Sequence, residues 1–311
     1  MVGLKIELPE HFLEEEVRDG FTVTRTKKEV WAVELDLFQE LMRVCEKHGI
    51  TVYADGGTLI GAIRHGGFIP WDDDIDLSIS RKDYEKLCSI ASSEFKAPYF
   101  FQTEETDPGS VRGHAQLRNS DTCAIVRNEY LTGYTFNQGI FIDIFPVDVV
   151  PSDKKLRTKQ IYKINQYRKK SISYSKLFFG MHPGTGYRKI IYRYLQQAVK
   201  IFHLKYKNKY YLQMEKEKKR YSDANSEYVA NLYKLIGDNP EKLVWQKSWF
   251  KSGLNVPFEF MSIYVPAGYE EYLVSTYGNW KEFVIGKSTH GQMIFDTERS
   301  YKEYLCKLEE R

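Results

Sequence analysis

Four aspartates stand within five positions of one short segment, at 72, 73, 74 and 76. Carboxylates this dense repel one another and resist burial unless a cation or another partner offsets their charge. The residues around them alternate, because Ile75, Leu77 and Ile79 are apolar and the positions between them are polar. Such alternation predicts a strand with one apolar and one polar face. The segment therefore indicates a sheet that presents acids on one side, where a divalent cation would be held.

Three acids of the chain are expected to meet at one cation. Side chains two residues apart on a strand project to the same face, so Asp74 and Asp76 are expected to aim their carboxylates together. Asp143 is the lone charge of an apolar run, 139–145, and buried charges are costly unless they are paired or bound to metal. Oxygen ligands of this kind suit a hard cation. We predict Asp74, Asp76 and Asp143 as catalytic and metal-binding residues, with Asp72 as an additional ligand and Mg²⁺, or alternatively Mn²⁺, as the ion.

A glycine pair followed by threonine, Gly56, Gly57 and Thr58, lies between a short apolar run and a predicted helix that ends at Arg64. Glycines let backbone N–H groups approach a phosphate closely, and a helix N-terminus adds a positive dipole end. We predict that these three residues bind a donor phosphate and that Arg64 and Arg118 are further phosphate contacts. A surface position is the alternative for Arg64. Strand, glycine turn, helix, D-x-D strand and distant acid together make a nucleotidyltransferase arrangement, suited to in-line phosphoryl transfer.

Three other interpretations of the acidic segment remain open. A calcium-binding EF-hand loop would have glycine at its sixth position and glutamate at its twelfth, where this chain has Leu77 and Asp83. A solvated turn would need no cation. A metal-dependent glycosyltransferase also uses a D-x-D pair, but that interpretation leaves the glycine pair and Asp143 unexplained.

The rest of the chain predicts a fold of the α+β class. The predicted helices cover 29–47, 58–64, a segment around 84–91, 153–178, 187–221 and 269–277. The predicted strands cover 50–54, 75–79, 99–102, 114–118, 123–127 and 139–145, with a strand pair or extended segment over 256–265. The four cysteines are widely separated, no apolar run approaches the ~18 residues needed to span a bilayer, and the first residues lack the pattern of a signal peptide. We therefore expect a cytoplasmic protein.

A strongly basic segment interrupts this fold. Residues 151–220 hold 20 lysines and arginines and 3 acidic residues, whereas the whole chain has a net charge of only +3. Tyrosine and phenylalanine are interleaved with the cations. A membrane surface is the preferred partner, because basic amphipathic helices adsorb to anionic lipid. Nucleic acid is the less favoured alternative, and the simplest alternative is that the aromatic residues only pack the segment onto the core.

The acidic segment closely resembles the LicD family of phosphocholine transferases, which are related to the fukutin-type ribitol-phosphate transferases. The resemblance lies in DGGTLIGAIRH (55–65) followed by GFIPWDDDID (67–76). It continues in RKDY (81–84), in FIDIFP (141–146) with Asp148, and in the stretch from Val265 to Gly278. The tail departs from the family, since YGNW (277–280) stands where YGDY is usual.

The resemblance implies a nucleotidyltransferase-like fold and a donor activated by CDP, such as CDP-choline. The acceptor would be a hydroxyl of a lipid-linked cell-surface glycan, for example a precursor of teichoic acid, lipopolysaccharide or capsule, and CMP would leave. By this resemblance Asp74 and Asp76 are the magnesium ligands, and Asp143 completes the metal site or accepts the hydroxyl proton. Residues 56–58 would hold the donor phosphates.

We therefore predict a mixed-sheet catalytic core over 1–150, a basic and largely helical insertion over 151–222, and a C-terminal part over 223–311 that completes the core and the acceptor side. Peripheral contact with the inner membrane face would involve residues 153–221. A true nucleotidyltransferase that releases pyrophosphate is the rival enzyme. A non-catalytic protein that tethers polyanions is the rival from another class.

Overall fold

A mixed sheet with flanking helices organises the protein in the computed structural model, which describes residues 1–126, 134–179, 208–235, 240–284 and 293–309 and five single positions between 187 and 198. The strands of the protein are β1 (Glu16–Arg18), β2 (Phe21–Val23), β3 (Val52–Ala54), β4 (Asp76–Ser80), β5 (Tyr99–Gln102), β6 (Ala115–Asn119), β7 (Cys123–Val126), β8 (Ile140–Val150), β9 (Tyr228–Ala230), β10 (Val244–Gln246), β11 (Gly253–Phe258), β12 (Met261–Pro266) and β13 (Met293–Asp296). Its helices are α1 (Arg25–Lys47), α2 (Gly56–Arg64), α3 (Arg81–Glu94), α4 (Lys154–Phe179), α5 (Lys209–Lys218), α6 (Tyr269–Tyr277) and α7 (Tyr301–Glu309). The predicted α+β class with a mixed sheet is confirmed.

Strand β8 is the centre of the largest sheet. It pairs in parallel with β4, antiparallel with β6 and antiparallel with β9, and the sheet continues through β3, β5 and β10. Residues 143 and 144 of β8 are paired with β4 and with β6 at once, so these two strands lie on opposite edges of β8. The predicted strand of 139–145 is therefore too short, because the last residues of β8 pair with β9, a partner far away in sequence.

Helix α1 covers the apolar face of this sheet. Trp31, Leu35 and Phe38 are buried in one core cluster with Leu77 of β4, together with residues of β6 and β8. The helix begins at Arg25, four residues before the predicted start, because the Thr24 side chain caps its N-terminus by accepting a hydrogen bond from the Lys27 N–H. The apolar periodicity indicated the helix but could not locate a polar first turn.

The basic segment forms two of the described helices. Helix α4 agrees with the helix predicted over 153–178. Helix α5 and the following 3₁₀ turn (Lys219–Tyr221) cover the end of the helix predicted over 187–221. Most of 180–207 lies outside the described residues. Ile161 and Ile164 of α4 and Met214 of α5 share a second core cluster with Ala230 of β9. Part of the segment is therefore packed on the sheet. Strands β9 and β10, from the predicted C-terminal part, extend the sheet of the core.

Buried charges join the sheet to this helical part. The Arg81 guanidinium donates to both carboxylate oxygens of Asp148, at 2.6 and 2.9 Å, and to Glu215 of α5 at 3.2 Å. The Lys218 ammonium donates to Glu215 at 2.7 Å and to the Gly113 carbonyl at 2.7 Å. Buried ions that are mutually paired in this way are costly to separate, because the remaining partner is left as an uncompensated charge.

Among the described residues, every helix is too short or too polar to serve as a bilayer span.

Replacing Asp148 by asparagine should lower the free energy of unfolding by roughly 3 kcal/mol, because Arg81 would keep its buried charge without a counter-ion. Urea unfolding followed by circular dichroism measures this effect. The matched control is Asp223→Asn at an exposed position, which should leave the free energy within ~0.5 kcal/mol of wild type. Equal stability of the two variants would contradict the role assigned to the Arg81–Asp148 pair.

Candidate active site

Asp76 and Asp143 are direct neighbours on adjacent parallel strands, where their Cα atoms are in register. Neighbouring strands lie about 4.8 Å apart, so paired residues present their side chains side by side on one face. The Asp143 N–H also donates to the Ile75 carbonyl at 2.8 Å, which fixes this register at the start of β4. Both carboxylates are largely buried, with 16% and 6% of each side chain exposed. The structure thus brings together two acids that are 67 positions apart in the sequence.

Asp74 lies in the loop before β4, because the strand begins at Asp76 rather than at 75 as predicted. Carboxylate oxygens of Asp72, Asp73 and Asp74 lie within 4.8 Å of one another. Burial raises the pKa of Asp74 well above its usual value, and the negative charges of Asp76, Asp72 and Asp143 raise it further. Asp74 therefore belongs to the same electrostatic cluster as the two strand acids, although it does not lie on the strand that the sequence argument assumed.

Helix α1 holds the acidic loop from behind. The Lys27 ammonium donates to the Asp72 carbonyl at 3.1 Å, and the Trp31 indole N–H donates to the same carbonyl at 3.2 Å. Trp31 also stacks on Phe68, with ring centroids 4.6 Å apart. These contacts fix the backbone at the start of the loop, so the acids are positioned before any cation binds.

The glycine pair makes room for the acids. Gly56 has a φ of +57°, and a Cβ built on it would lie 2.7 Å from the Asp76 Oδ2 atom. A Cβ on Gly57 would overlap the carboxylate of Asp72. The Thr58 hydroxyl accepts a hydrogen bond of 2.8 Å from the Asp76 N–H. Helix α2 therefore begins directly against the acidic cluster, and the phosphate contacts of residues 56–58 remain a prediction.

Asp143 is oriented by two residues, Gln116 on β6 and His114 just before the start of β6. Its Oδ1 atom lies 2.6 Å from the Gln116 Nε2 atom, which donates to it, and 3.0 Å from the His114 Nε2 atom. Gln116 is the register partner of Asp143 on β6, so its side chain lies on the same face of the sheet. Sequence reasoning missed both residues, because a histidine and a glutamine on a predicted strand carry no pattern of their own.

Arg118 supports Gln116 from behind. Its guanidinium, on a residue only 1% exposed, donates to the side-chain oxygen of Gln116, to Gln102 Oε1 at 2.7 Å and to the Gly139 carbonyl at 2.6 Å. A donor phosphate cannot reach a guanidinium enclosed in this way. The structure therefore gives Arg118 a position that supports the site, in place of the phosphate contact predicted for it.

Arg64 also has protein partners. Its Nη1 atom donates to the carbonyls of Trp280 and Glu282, at 2.8 and 3.0 Å, and the guanidinium carbon lies 4.7 Å from the centroid of the Phe283 ring. Arg64 thus anchors the segment after α6 to the end of α2. The Arg64 guanidinium contacts that segment, in place of the phosphate contact predicted for it.

Asp55 and Lys234 complete the charge pattern. Asp55 caps α2 by accepting from the Gly56 N–H at 2.9 Å and also accepts from the Tyr272 hydroxyl. The Lys234 ammonium lies 2.8 Å from Asp76 Oδ2 and 3.3 Å from Asp55 Oδ2. Burial raises the pKa of Asp76 to about 6; the Lys234 charge opposes this rise and the Asp143 charge adds to it. Asp55 stands in the motif that carries the resemblance, whereas nothing in the sequence around Lys234 indicated its place here.

The residues present fit a divalent cation. All candidate ligands are carboxylate oxygens, which a hard cation prefers, and their mutual repulsion would be relieved by its charge. Lys234 is the clearest evidence, because a positive group already stands against Asp76. The charges of Asp76 and Asp143 both raise the pKa of Asp74, as does that of Asp72, so the predicted trio belongs to a wider group of interacting acids.

One family model matches the part of the chain that carries most of the acidic site. The model described as LicD/FKTN/FKRP, nucleotidyltransferase domain, matches residues 49–185. These residues form a LicD-family domain. The LicD match includes β3, α2, β4 and β8, and hence the acids at 55, 72–74, 76 and 143. Lys234 and Tyr272 lie beyond it, on the part of the chain that returns to the sheet.

Individual relatives include one LicD protein and one FKRP protein. The lipopolysaccharide cholinephosphotransferase LicD of Haemophilus influenzae is 27% identical over 262 residues, which cover 82% of this chain and 91% of that protein. The ribitol 5-phosphate transferase FKRP of Homo sapiens is 50% identical over 51 residues, which cover 16% of this chain and 10% of that protein. An uncharacterized protein of Rickettsia prowazekii, RP689, is 40% identical over 54 residues, or 17% of this chain and 20% of that protein.

The raised pKa of Asp76 predicts a pH-dependent stability. The folded protein holds a proton on Asp76 up to a pH of about 6, whereas the unfolded chain loses it near 3.8, so this stabilisation is lost as the pH rises through 6. An Asp76→Asn variant has no such loss. Relative to wild type, its free energy of unfolding should rise by roughly 2 kcal/mol between pH 4.5 and 7.5, measured by urea unfolding in EDTA. A difference that stays constant with pH would contradict the predicted pKa of Asp76.

Proposed function

We propose that this protein transfers phosphocholine, or another alcohol phosphate, from a CDP-activated donor to a hydroxyl of a cell-surface glycan precursor and releases CMP. The observation that carries the proposal is the register pairing of Asp76 with Asp143 beside Asp74, directly against the start of α2. The names of the two characterised relatives support the class of reaction, since both move an alcohol phosphate. A teichoic acid, lipopolysaccharide or capsule precursor is the proposed acceptor.

The acids would hold Mg²⁺, or Mn²⁺ in its place, through Asp74, Asp76 and Asp143, with Asp72 as a further ligand. When bound, the ion supplies positive charge to the phosphate oxygens and to the departing nucleotide. The amides at the start of α2 add a positive dipole end on the same side. The chain's own part is to keep these groups in place before the donor arrives, which α1, Gln116 and Arg118 do.

The proposed reaction is an in-line displacement at phosphorus. The acceptor hydroxyl oxygen forms a bond to the phosphorus of the alcohol phosphate, and the bond from that phosphorus to the bridging oxygen breaks, so CMP leaves with the electron pair. We assign the hydroxyl proton to the carboxylate of Asp143. Its Oδ1 atom is fixed by Gln116 and His114, which orients the carboxylate for this task.

Incubation with a panel of CDP-alcohols and nucleoside triphosphates, with and without Mg²⁺, tests this function. We expect CMP from at least one CDP-alcohol only when Mg²⁺ and a glycan acceptor are present. Release of pyrophosphate from a triphosphate would instead establish a nucleotidyltransferase. No nucleotide product with any donor would favour the non-catalytic tether and contradict the proposal.

Asparagine at position 74, 76 or 143 should reduce CMP release by ~100- to 1,000-fold, because each change removes a negative charge from the metal site. Circular dichroism checks that each variant is folded. Asp223→Asn, at an exposed position, is the matched control and should retain wild-type turnover. Full activity in one of the three variants would remove that residue from the mechanism.

We also propose that the basic segment contacts the inner face of the membrane, where a lipid-linked acceptor would lie. The adjacent residues Ile190 and Ile191 are helical positions three or four residues from both Tyr187 and Tyr194, and all four side chains are more than half exposed, between 54% and 73%. This spacing puts the four side chains on one helical face. An exposed apolar face in a segment this rich in lysine and arginine suits the interface of an anionic bilayer. Nucleic acid is not the proposed partner.

Sedimentation with vesicles tests the membrane contact. Wild type should bind vesicles of phosphatidylcholine with 30% phosphatidylglycerol, bind pure phosphatidylcholine weakly, and be released by salt, because both charge and apolar burial contribute. The double substitution Ile190→Glu with Ile191→Glu should reduce binding by about tenfold or more. The control pair, Val17→Glu with Leu254→Glu, changes two exposed apolar residues elsewhere and should bind as wild type. Equal binding by both double variants would contradict the proposed surface.

A further inference from the structure

Lys234 reaches the acidic cluster from a part of the chain outside residues 49–185, which the family model matches. It lies in the turn after β9, where the buried Asn231 side chain accepts hydrogen bonds from the Tyr233 and Lys234 N–H groups, each at 3.2 Å. The Lys234 N–H also donates to the Asn231 carbonyl at 3.1 Å. The backbone of Lys234 is therefore fixed, and only its four-carbon side chain is able to change position.

The ammonium of Lys234 stands where a cation is required. It contacts Asp76 at 2.8 Å and Asp55 at 3.3 Å, and it lies 3.8 Å from the centroid of the Phe145 ring. The negative face of an aromatic ring attracts a cation, so all three neighbours favour positive charge. The Lys234 side chain is 28% exposed, which leaves a side open to solvent.

A divalent ion and this ammonium compete for the same carboxylate. Two cations cannot both lie in contact with Asp76 Oδ2 without strong repulsion. Asp55 keeps two hydrogen bonds when the lysine moves, since its other oxygen accepts from the Gly56 N–H and the Tyr272 hydroxyl. Lysine is also a compact charge on a flexible stem and a common phosphate ligand. The side chain is therefore able to leave Asp76 for an anion on the open side.

We propose that Lys234 is an internal cation that occupies the acidic site before metal binds, yields Asp76 to the divalent ion, and then contacts the donor phosphates. This inference deepens the function proposed above and rests on it. It makes Lys234 a residue with two opposite effects, because it opposes the binding of the metal and supports the binding of the nucleotide. A residue that only stabilised the fold would affect both in the same direction.

Two titrations on Lys234→Met test the proposal. The first measures Mn²⁺ affinity without nucleotide, from the electron paramagnetic resonance signal of free Mn²⁺, and should show about tenfold tighter binding than wild type. The second measures the affinity for cytidine 5′-diphosphate at saturating Mn²⁺ by calorimetry and should show about tenfold weaker binding. Lys234→Arg keeps the charge and should retain the nucleotide affinity within about threefold.

The matched control is Lys219→Met, which removes a lysine paired at 2.9 Å with Glu85 on the surface and should change neither affinity. Circular dichroism confirms that each variant is folded. The proposal is overturned if Lys234→Met binds Mn²⁺ no more tightly than wild type, if its diphosphate affinity is unchanged, or if wild type binds no Mn²⁺ at millimolar concentration. CMP release by wild type is scored separately, so a transferase without this lysine exchange is distinguishable from a failure of the function itself.

Discussion

The parallel pairing of β4 with β8 is the constraint on which the site depends. It sets Asp76 and Asp143 side by side at the centre of the sheet, although repulsion between their charges opposes that arrangement. The surrounding core offsets this repulsion, because the apolar residues of both strands are buried under α1. The fold thus maintains a cluster of like charges that the isolated segment would not hold together.

Positive and polar groups then limit the repulsion without removing it. Gln116 and His114 hold one oxygen of Asp143, Arg118 holds Gln116, and Lys234 stands against Asp76. The pKa values of Asp74 and Asp76 are still raised, so the cluster keeps a demand for positive charge. A site of this kind favours a divalent ion. The crowding of carboxylates also explains why glycine is required at 56 and 57, where any side chain would meet a carboxylate.

The sequence was informative where the signal is local. Helix α6 and strand β5 were predicted with their observed bounds, and the acids at 74, 76 and 143 were selected from alternation and from the isolation of one charge in an apolar run. The failures at β8, Arg118 and Lys234 have a common cause, since each of them depends on partners distant in the chain. The extension of β8 depends on β9, the enclosure of Arg118 depends on Gln102 and Gly139, and the position of Lys234 depends on a turn that no motif marks. The predicted domain division remains a prediction.

Crystals soaked with Mn²⁺ and cytidine 5′-diphosphate test the central claim most directly, because anomalous scattering locates the ion itself. The account predicts a peak about 2.0–2.3 Å from carboxylate oxygens of both Asp76 and Asp143. A peak bound only by the loop acids 72–74, with Asp143 several ångströms away and still held by Gln116 and His114, would contradict it.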